Sequence, residues 1–145
     1  MHQHVTPQEL ADHFTLLPAE HALVVNRSGP NRLGFAILLK YFQWEGRFPL
    51  TPQEIPSTVV AHLAESLGVA MDRFIRYDLD GRMARYHKEQ IRQWTGFRPD
   101  TTGDAEAITA WVCAHTRVEE ATIPQVLARL AERYKALKIE LPIES

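Results

Sequence analysis

One segment constrains the fold more than any other, because residues 31–44 read as a helix that is apolar almost all round. Large apolar side chains cover nearly its whole circumference, and only Ala36, Lys40 and Gln43 share a narrow stripe without bulky apolar groups. A helix of this kind is buried by other elements on nearly every side. We therefore expect a buried central helix, capped by Asn31, with the remaining elements packed around it.

The rest of the chain contains residue patterns that are typical of the starts and ends of helices. Thr-Pro-Gln-Glu occurs at 6–9 and again at 51–54, and this pattern is typical of a capped helix start. Gly-Pro at 29–30 predicts a turn, and no two segments alternate in polarity over a length that would suit paired strands. The sequence therefore predicts an all-α fold, a compact multi-helix domain. The predicted helices begin at Pro7, Pro18, Asn31, Pro56, Met71, Asp80 or Gly81, Asp104 and Ile123.

The pattern suggests two parts, a helical unit over residues 1–98 and a helical hairpin with a tail over residues 99–145. The second part either packs on the first or leads into a further region. Its last helix is expected to pack through four residues spaced i, i+3, i+7 and i+10, with Cys113 as a small core residue. These four residues are Leu127, Leu130, Tyr134 and Leu137.

Composition excludes several classes of protein. The 145 residues are 45% apolar and 23% charged, which is a globular composition, and the net charge of −2 excludes a wholly basic nucleic-acid binder. The single cysteine cannot form an internal disulfide and indicates a reducing compartment. The longest apolar stretch is too short to span a membrane, and the N-terminus lacks a charged-then-apolar leader. We expect a cytoplasmic protein.

The positive charge is concentrated in one short stretch. Residues 72–98 carry seven basic and four acidic side chains, whereas the segments before and after it are both net acidic. Within residues 81–95, four cations fall within about 140° of one another around a helix together with Glu89 and Gln93, at 100° per residue. These cations are Arg82, Arg85, Lys88 and Arg92. We expect the opposite face to be packed through Met83, His87, Ile91 and Trp94, with His87 as a hydrogen-bonded core residue.

A row of Arg and Lys along one helix suits DNA, because each can neutralise a phosphate and Arg can make a paired contact to guanine. Arg73 and Arg76 on the preceding short helix could widen that surface, and Arg98 could contact flanking backbone. A short helix, a tight turn and a longer helix is also the order of a helix-turn-helix. A solvated helix face and an ordinary helical hairpin share these patterns, so both alternatives stay open.

Catalytic and metal-binding patterns are weak. Asp72, Asp78 and Asp80 are interleaved with arginines and read as caps and charge partners, and the seven histidines show no metal-like pairing. No nucleophile elbow, phosphate loop or dinucleotide fingerprint occurs. We expect no enzyme activity from this chain alone, no metal and no cofactor.

Two motifs carry a resemblance to a known family. Asn-Arg-Leu-Gly-Phe-Ala at 31–36, followed by Gly-Arg-Phe-Pro at 46–49, resembles the N-terminal region of transposases of the Tn-three family, which move replicative bacterial transposons. The segments 82–98 and 138–142 resemble the basic helix of that region and its junction with the next. Gly34 would let another element approach closely, while Arg32 and Arg47 lack a packing role and are secondary candidates for phosphate contact.

The resemblance implies that the chain is part of a longer protein whose metal-binding catalytic residues lie outside it. It also implies recognition of the inverted repeats at transposon ends, so the expected partner is double-stranded DNA. The alternative is a protein-interaction module, in which the acidic C-terminal third docks onto the rest of the transposase or a second copy. That alternative gains if Arg82, Arg85 and Arg92 are each consumed by buried carboxylates.

Overall fold

The computed structural model describes residues 5–27, 29–117 and 119–142, and this part of the chain is all-α. The predicted fold class is confirmed. Backbone contacts divide the chain into two units, one made of Met1–Trp44 and Phe48–Ile91 and the other of Glu45–Arg47 and Arg92–Ser145. The division thus falls after Ile91 rather than after residue 98, because Arg92 and Arg98 make their polar contacts with residues of the second unit.

The first unit is built from short helices around one long one. Its α-helices are α1 (Pro7–His13), α2 (Pro18–Val25), α3 (Gly29–Glu45, whose last residue falls in the second unit), α4 (Ser57–Leu67) and most of α5 (Arg82–Thr95). Two 3₁₀ helices, Pro52–Glu54 and Met71–Arg76, lie before and after α4. The capping box that the sequence predicts at Thr6 is present, and Gly46 and Gly68 end their helices with positive φ.

The long helix α3 forms the core of the first unit. Every residue from Leu33 to Phe42 is buried, so the expectation of a buried central helix is confirmed. The helix begins at Gly29 rather than at Asn31, because a proline at position 30 is tolerated within the first turn. Two members of the narrow stripe are also buried, since Ala36 is 0% and Lys40 only 5% exposed, while Gln43 is half-buried. There Lys40 Nζ lies 3.0 Å from Glu20 Oε1, and Gln43 Nε2 donates to Glu20 Oε2 at 2.6 Å.

Gly34 marks the closest approach to α3. A Cβ added there would lie 2.2 Å from the Tyr77 ring, so the close approach expected at Gly34 is made by this aromatic side chain. Tyr77 follows the 3₁₀ helix Met71–Arg76 and is itself buried. The missing side chain of Gly34 therefore sets the position of the segment that leads into α5.

We expect Gly34→Ala to lower the free energy of unfolding by about 1–3 kcal/mol, because the methyl group must displace a buried ring. Gly103→Ala is the matched control, since its Cβ would come no closer than 3.8 Å to the Thr101 side chain. That control should be neutral or stabilising by up to about 1 kcal/mol, through helix propensity alone. Urea unfolding of both variants checks the pair, and equal stability of the two would contradict the packing described.

The second unit is a helical hairpin closed by the chain's C-terminal segment. It contains α6 (Thr102–Ala114), capped by Thr101 rather than beginning at Asp104, and α7 (Ile123–Ala136). Arg98 and Ile139 form an isolated parallel bridge, and the Leu141 N–H donates to the Gly46 carbonyl at 2.9 Å. The core is small. Its buried members are Ile108, Val112, Tyr134 and Ile139.

Two expectations for this unit are wrong. Leu127 and Leu137 are about half exposed, because α6 offers a narrow apolar face on which α7 buries Tyr134 and, in part, Leu130. Cys113 is exposed rather than part of the core, since it follows the buried Val112 and points away from that face. In the described part of the chain, no helix is long and apolar enough to cross a membrane.

Candidate nucleic-acid interface

The basic helix packs through a narrower face than the sequence predicts. In α5 the buried residues are Ala84, His87 and Ile91, which lie on one side of the helix. Met83 and Trp94, which we expected on that face, are 48% and 45% exposed because they lie at its edge rather than at its centre. The opposite side of the helix carries Arg82 and Arg85, which are exposed, whereas Lys88 and Arg92 are half-buried beside the packed face.

His87 is the polar centre of the packed face. Its ring is 1% exposed, and its Nδ1 lies 2.7 Å from the Tyr77 hydroxyl. The two rings are parallel, and the Phe35 ring meets His87 edge-on. Burial, reinforced by the positive charge of Arg27, lowers the pKa of His87 to about 4. The expectation of a hydrogen-bonded core histidine is confirmed, and the contact ties α5 to the segment before it.

Four arginines of the first unit are exposed and without ionic partners. Arg82 and Arg85 lie near the start of α5, while Arg73 and Arg76 lie on the 3₁₀ helix before it. Among the described residues, none of the four forms a salt bridge or a side-chain hydrogen bond. Their charge is therefore available to an external anion.

The turn before α5 is organised by its own side chains. Asp78 Oδ1 accepts from the Asp80 N–H at 3.0 Å, so this aspartate closes an Asx turn, whereas we expected these aspartates to be helix caps and charge partners. Lys88 donates to the Leu79 carbonyl at 3.1 Å and lies over the Phe48 ring at 5.9 Å. Lys88 thus supports the turn as well as carrying charge.

The predicted helix-turn-helix is only partly present. The element before the turn is a 3₁₀ helix, with Arg73 N–H donating to the Ala70 carbonyl and Tyr77 N–H to the Phe74 carbonyl. A helix-turn-helix requires two α-helices, so the prediction is wrong on this point. The order of a short element, a tight turn and a longer α-helix is retained.

Arg92 and Arg98 belong to the second unit and are both paired. Arg92 makes two hydrogen bonds to the carboxylate of Glu140, at 2.7 and 3.2 Å, and Glu140 is buried. Arg98 makes two hydrogen bonds to Asp104, at 2.7 and 2.8 Å, and this contact holds the pKa of Asp104 well below its usual range. Among the described residues, then, a buried carboxylate pairs with Arg92 but not with Arg82 or Arg85.

Arg32 and Arg47, the secondary candidates for phosphate contact, also interact with other groups of the chain. Arg32 donates to the carbonyls of Arg27 and Val25, at 3.0 and 3.1 Å, and so satisfies the end of α2. Arg47 is half-buried and is engaged within the chain. Within the described residues, no group of three or more His, Cys, Asp or Glu side chains could hold a metal ion.

Sequence reasoning missed two features of the first unit. The first is the buried contact of Lys40 with Glu20, which the charged residue in an otherwise apolar helix could have signalled. The second is the exposure of Ile75, which is 84% accessible between two arginines in the sequence. No sequence signal distinguished it from its buried neighbour Phe74.

Fold and site together define a small all-α domain with a buried central helix and exposed arginines on neighbouring elements. Residues 1–144 match a family described as "Domain of unknown function (DUF4158)". The match covers nearly the whole chain, and the chain belongs to this family.

Proposed function

We propose that the first unit binds double-stranded DNA through Arg82 and Arg85 on α5, with Arg73 and Arg76 extending the contact. The observation that carries the proposal is that these four guanidinium groups are exposed and have no carboxylate partner among the described residues. Such groups each neutralise one phosphate and release the counterions condensed on DNA.

The likeness of 31–36 and 46–49 to Tn-three transposases supplies the biological setting of the proposal. In that setting the domain recognises the terminal inverted repeats of a transposon in the bacterial cytoplasm. The metal-dependent cutting and joining of DNA is then left to other parts of a longer transposase. Arg82 and Arg85 lie near the N-terminal end of α5, where recognition helices place the side chains that reach base edges.

The geometry narrows the set of contact residues that the sequence suggests. Arg92 and Arg98 stabilise the second unit through Glu140 and Asp104, and Arg32 caps α2. We therefore propose Arg73, Arg76, Arg82 and Arg85 as the primary contacts, with Lys88 in a supporting position beside the turn. These residues stay within one unit, so the proposed surface depends on that unit alone.

The second candidate function is a protein-interaction module, and one observation favours it. Ile123 and Leu127 are one helical turn apart on α7 and are 75% and 55% exposed. An apolar face of this kind fits a docking contact with the rest of a transposase or with a second copy. Self-association of a chain that fails to bind DNA would favour this candidate.

The proposal is tested by fluorescence anisotropy with a labelled duplex that carries the terminal inverted repeat of a Tn-three family transposon. At about 0.1 M salt, we expect the Arg82→Ala/Arg85→Ala variant to bind with a Kd raised about 60-fold, because two phosphate contacts are lost. A scrambled duplex of equal length and composition measures sequence preference.

Arg117→Ala/Arg129→Ala is the charge-matched control, because both residues are exposed and lie in the second unit. This variant should bind within about threefold of the parent chain, losing only long-range attraction. A parent chain that does not bind either duplex at low salt would contradict the proposal. Equal losses in the two double variants would contradict the assignment of Arg82 and Arg85.

A further inference from the structure

Ile75 is exposed to an unusual degree for a large aliphatic residue. At 84% it is the most exposed large hydrophobic residue in the described part of the chain. It lies near the end of the 3₁₀ helix Met71–Arg76, between Arg73 and Arg76 in the sequence. Burial of such a side chain against a partner is favourable, so its exposure fits a surface that is covered in a complex.

The three-residue period of a 3₁₀ helix divides its side chains into three edges. Phe74 and Tyr77 share one edge, and both are buried against the first unit. Arg73 and Arg76 share the second edge, and Ile75 lies on the third. Two neighbouring edges thus face solvent. One carries the two arginines, and the other carries Ile75.

Contacts on the buried edge attach the helix that carries Ile75 to the rest of the first unit. The rings of Phe74 and Tyr77 are stacked with centroids 6.2 Å apart, and the Tyr77 hydroxyl lies 2.7 Å from His87 Nδ1. Ile75 also borders two clefts of about 420 and 460 Å³, one lined further by Leu50 and the other by Ile55. The Ile75 side chain therefore lies between two clefts, on a helix that is packed against the first unit through Phe74.

We propose that Ile75 is an apolar wedge that enters a base step of bound DNA and kinks the duplex. The inference rests on the proposed DNA binding and adds a mode of recognition to it. Aliphatic side chains flanked by cations act in this way in proteins that bend DNA, partly unstacking a step while basic residues hold the neighbouring phosphates. Arg73 and Arg76 lie on the neighbouring edge of the same helix, where they can hold these phosphates.

Asp72 lies on the same edge as Ile75, one turn earlier, and is exposed. A carboxylate there repels phosphate, so this edge is unsuited to the DNA backbone. We therefore assign the uncharged base stack to the edge of Asp72 and Ile75, and the DNA backbone to the edge of Arg73 and Arg76. The argument for DNA as the occupant is the neighbouring edge, where Arg73 and Arg76 can neutralise the phosphates on either side of a base step.

The wedge is tested by separating bending from binding. The terminal-repeat duplex carries a donor dye at one end and an acceptor at the other, and energy transfer is measured at saturating protein. We expect the parent chain to raise the transfer efficiency through a kink of about 20–90°. Ile75→Ala should abolish most of that rise, with a Kd within about tenfold of the parent because the arginine contacts remain. Ile75→Leu should restore bending.

Ile123→Ala is the matched control, since it removes an equally large and similarly exposed side chain from α7. It should bend DNA as the parent does. A parent chain that binds without bending, or an Ile75→Ala variant that bends fully, would overturn the wedge and leave DNA binding intact. A parent chain that does not bind DNA would overturn both. Loss of bending in Ile123→Ala would also overturn the assignment to Ile75.

Discussion

Replacing Lys40 by Met is expected to lower the free energy of unfolding of the first unit by about 3–5 kcal/mol, because it leaves a buried carboxylate without its cation. Glu20 is 2% exposed and accepts from Lys40 at 3.0 Å. Burial by itself raises the pKa of Glu20, but hydrogen bonds from the Leu17 N–H, Gln43 and Lys40 outweigh it and lower that pKa. Without Lys40, the Glu20 carboxylate loses one of these hydrogen bonds and its cationic partner.

The measurement is urea unfolding followed by the fluorescence of Trp44, in a background where Trp94 and Trp111 are replaced by Phe. Trp44 then reports on the first unit alone. Glu20→Gln combined with Lys40→Met should recover most of the loss, because an uncharged amide still pairs with Gln43 and Leu17. Arg129→Met, at an exposed site, should change stability by less than about 0.5 kcal/mol. A cost below about 1 kcal/mol for Lys40→Met would show that the pair is not buried as described.

Acid is expected to destabilise the first unit through His87. Its pKa is lowered to about 4 in the folded chain, against about 6.5 when unfolded, so the unfolded state binds the proton first. The stabilisation from neutral His87 is complete above pH 6.5 and is lost as the pH falls from 6.5 to 4. The loss amounts to about 3 kcal/mol over that interval.

His87→Gln should flatten this part of the pH profile, because a glutamine has no proton to gain in that range. His115→Gln, at an exposed histidine, is the control and should keep the parent profile. Unfolding by urea at several pH values, followed through Trp44, measures the difference. Identical profiles for His87→Gln and the parent chain would contradict the buried, neutral state of this ring.

The framework of the fold could be read from the sequence because it rests on local chemistry. The apolar circumference of α3, the capping box at Thr6 and the glycine stops at Gly46 and Gly68 each act within a few residues. The 3₁₀ form of Met71–Arg76 could not be read in this way. In a segment of six residues, few i→i+4 bonds are possible, and tertiary packing decides between the two helical forms.

The partners of charged side chains were harder to foresee, because they depend on distant parts of the chain. Arg92 and Glu140 are 48 residues apart, and Glu20 and Lys40 are 20 apart. Periodicity placed Arg92 on the same face as Arg82 and Arg85, which is correct for the helix. It could not show that a carboxylate from the C-terminal segment lies against Arg92, so the sequence suggested a longer basic face than the structure offers.

Exposure of single residues near a packed core is likewise a tertiary property. Phe74 and Ile75 are neighbours of similar hydrophobicity, yet one is buried and the other is 84% exposed. The difference follows from which edge of the 3₁₀ helix faces Tyr77 and His87. The same packing positions the arginines on the adjacent edge, so the core of the first unit determines the arrangement of the proposed DNA contacts.

The most direct measurement is the salt dependence of binding to the terminal-repeat duplex, compared between the parent chain and Arg82→Ala/Arg85→Ala. If Arg73, Arg76, Arg82 and Arg85 all contact phosphates, the logarithm of the association constant should fall with the logarithm of salt concentration with a slope of about −3.6. In the double variant the slope should be about −1.8, since two phosphate contacts are lost. Equal slopes for the two proteins, or no binding by the parent at low salt, would contradict a DNA interface at these residues.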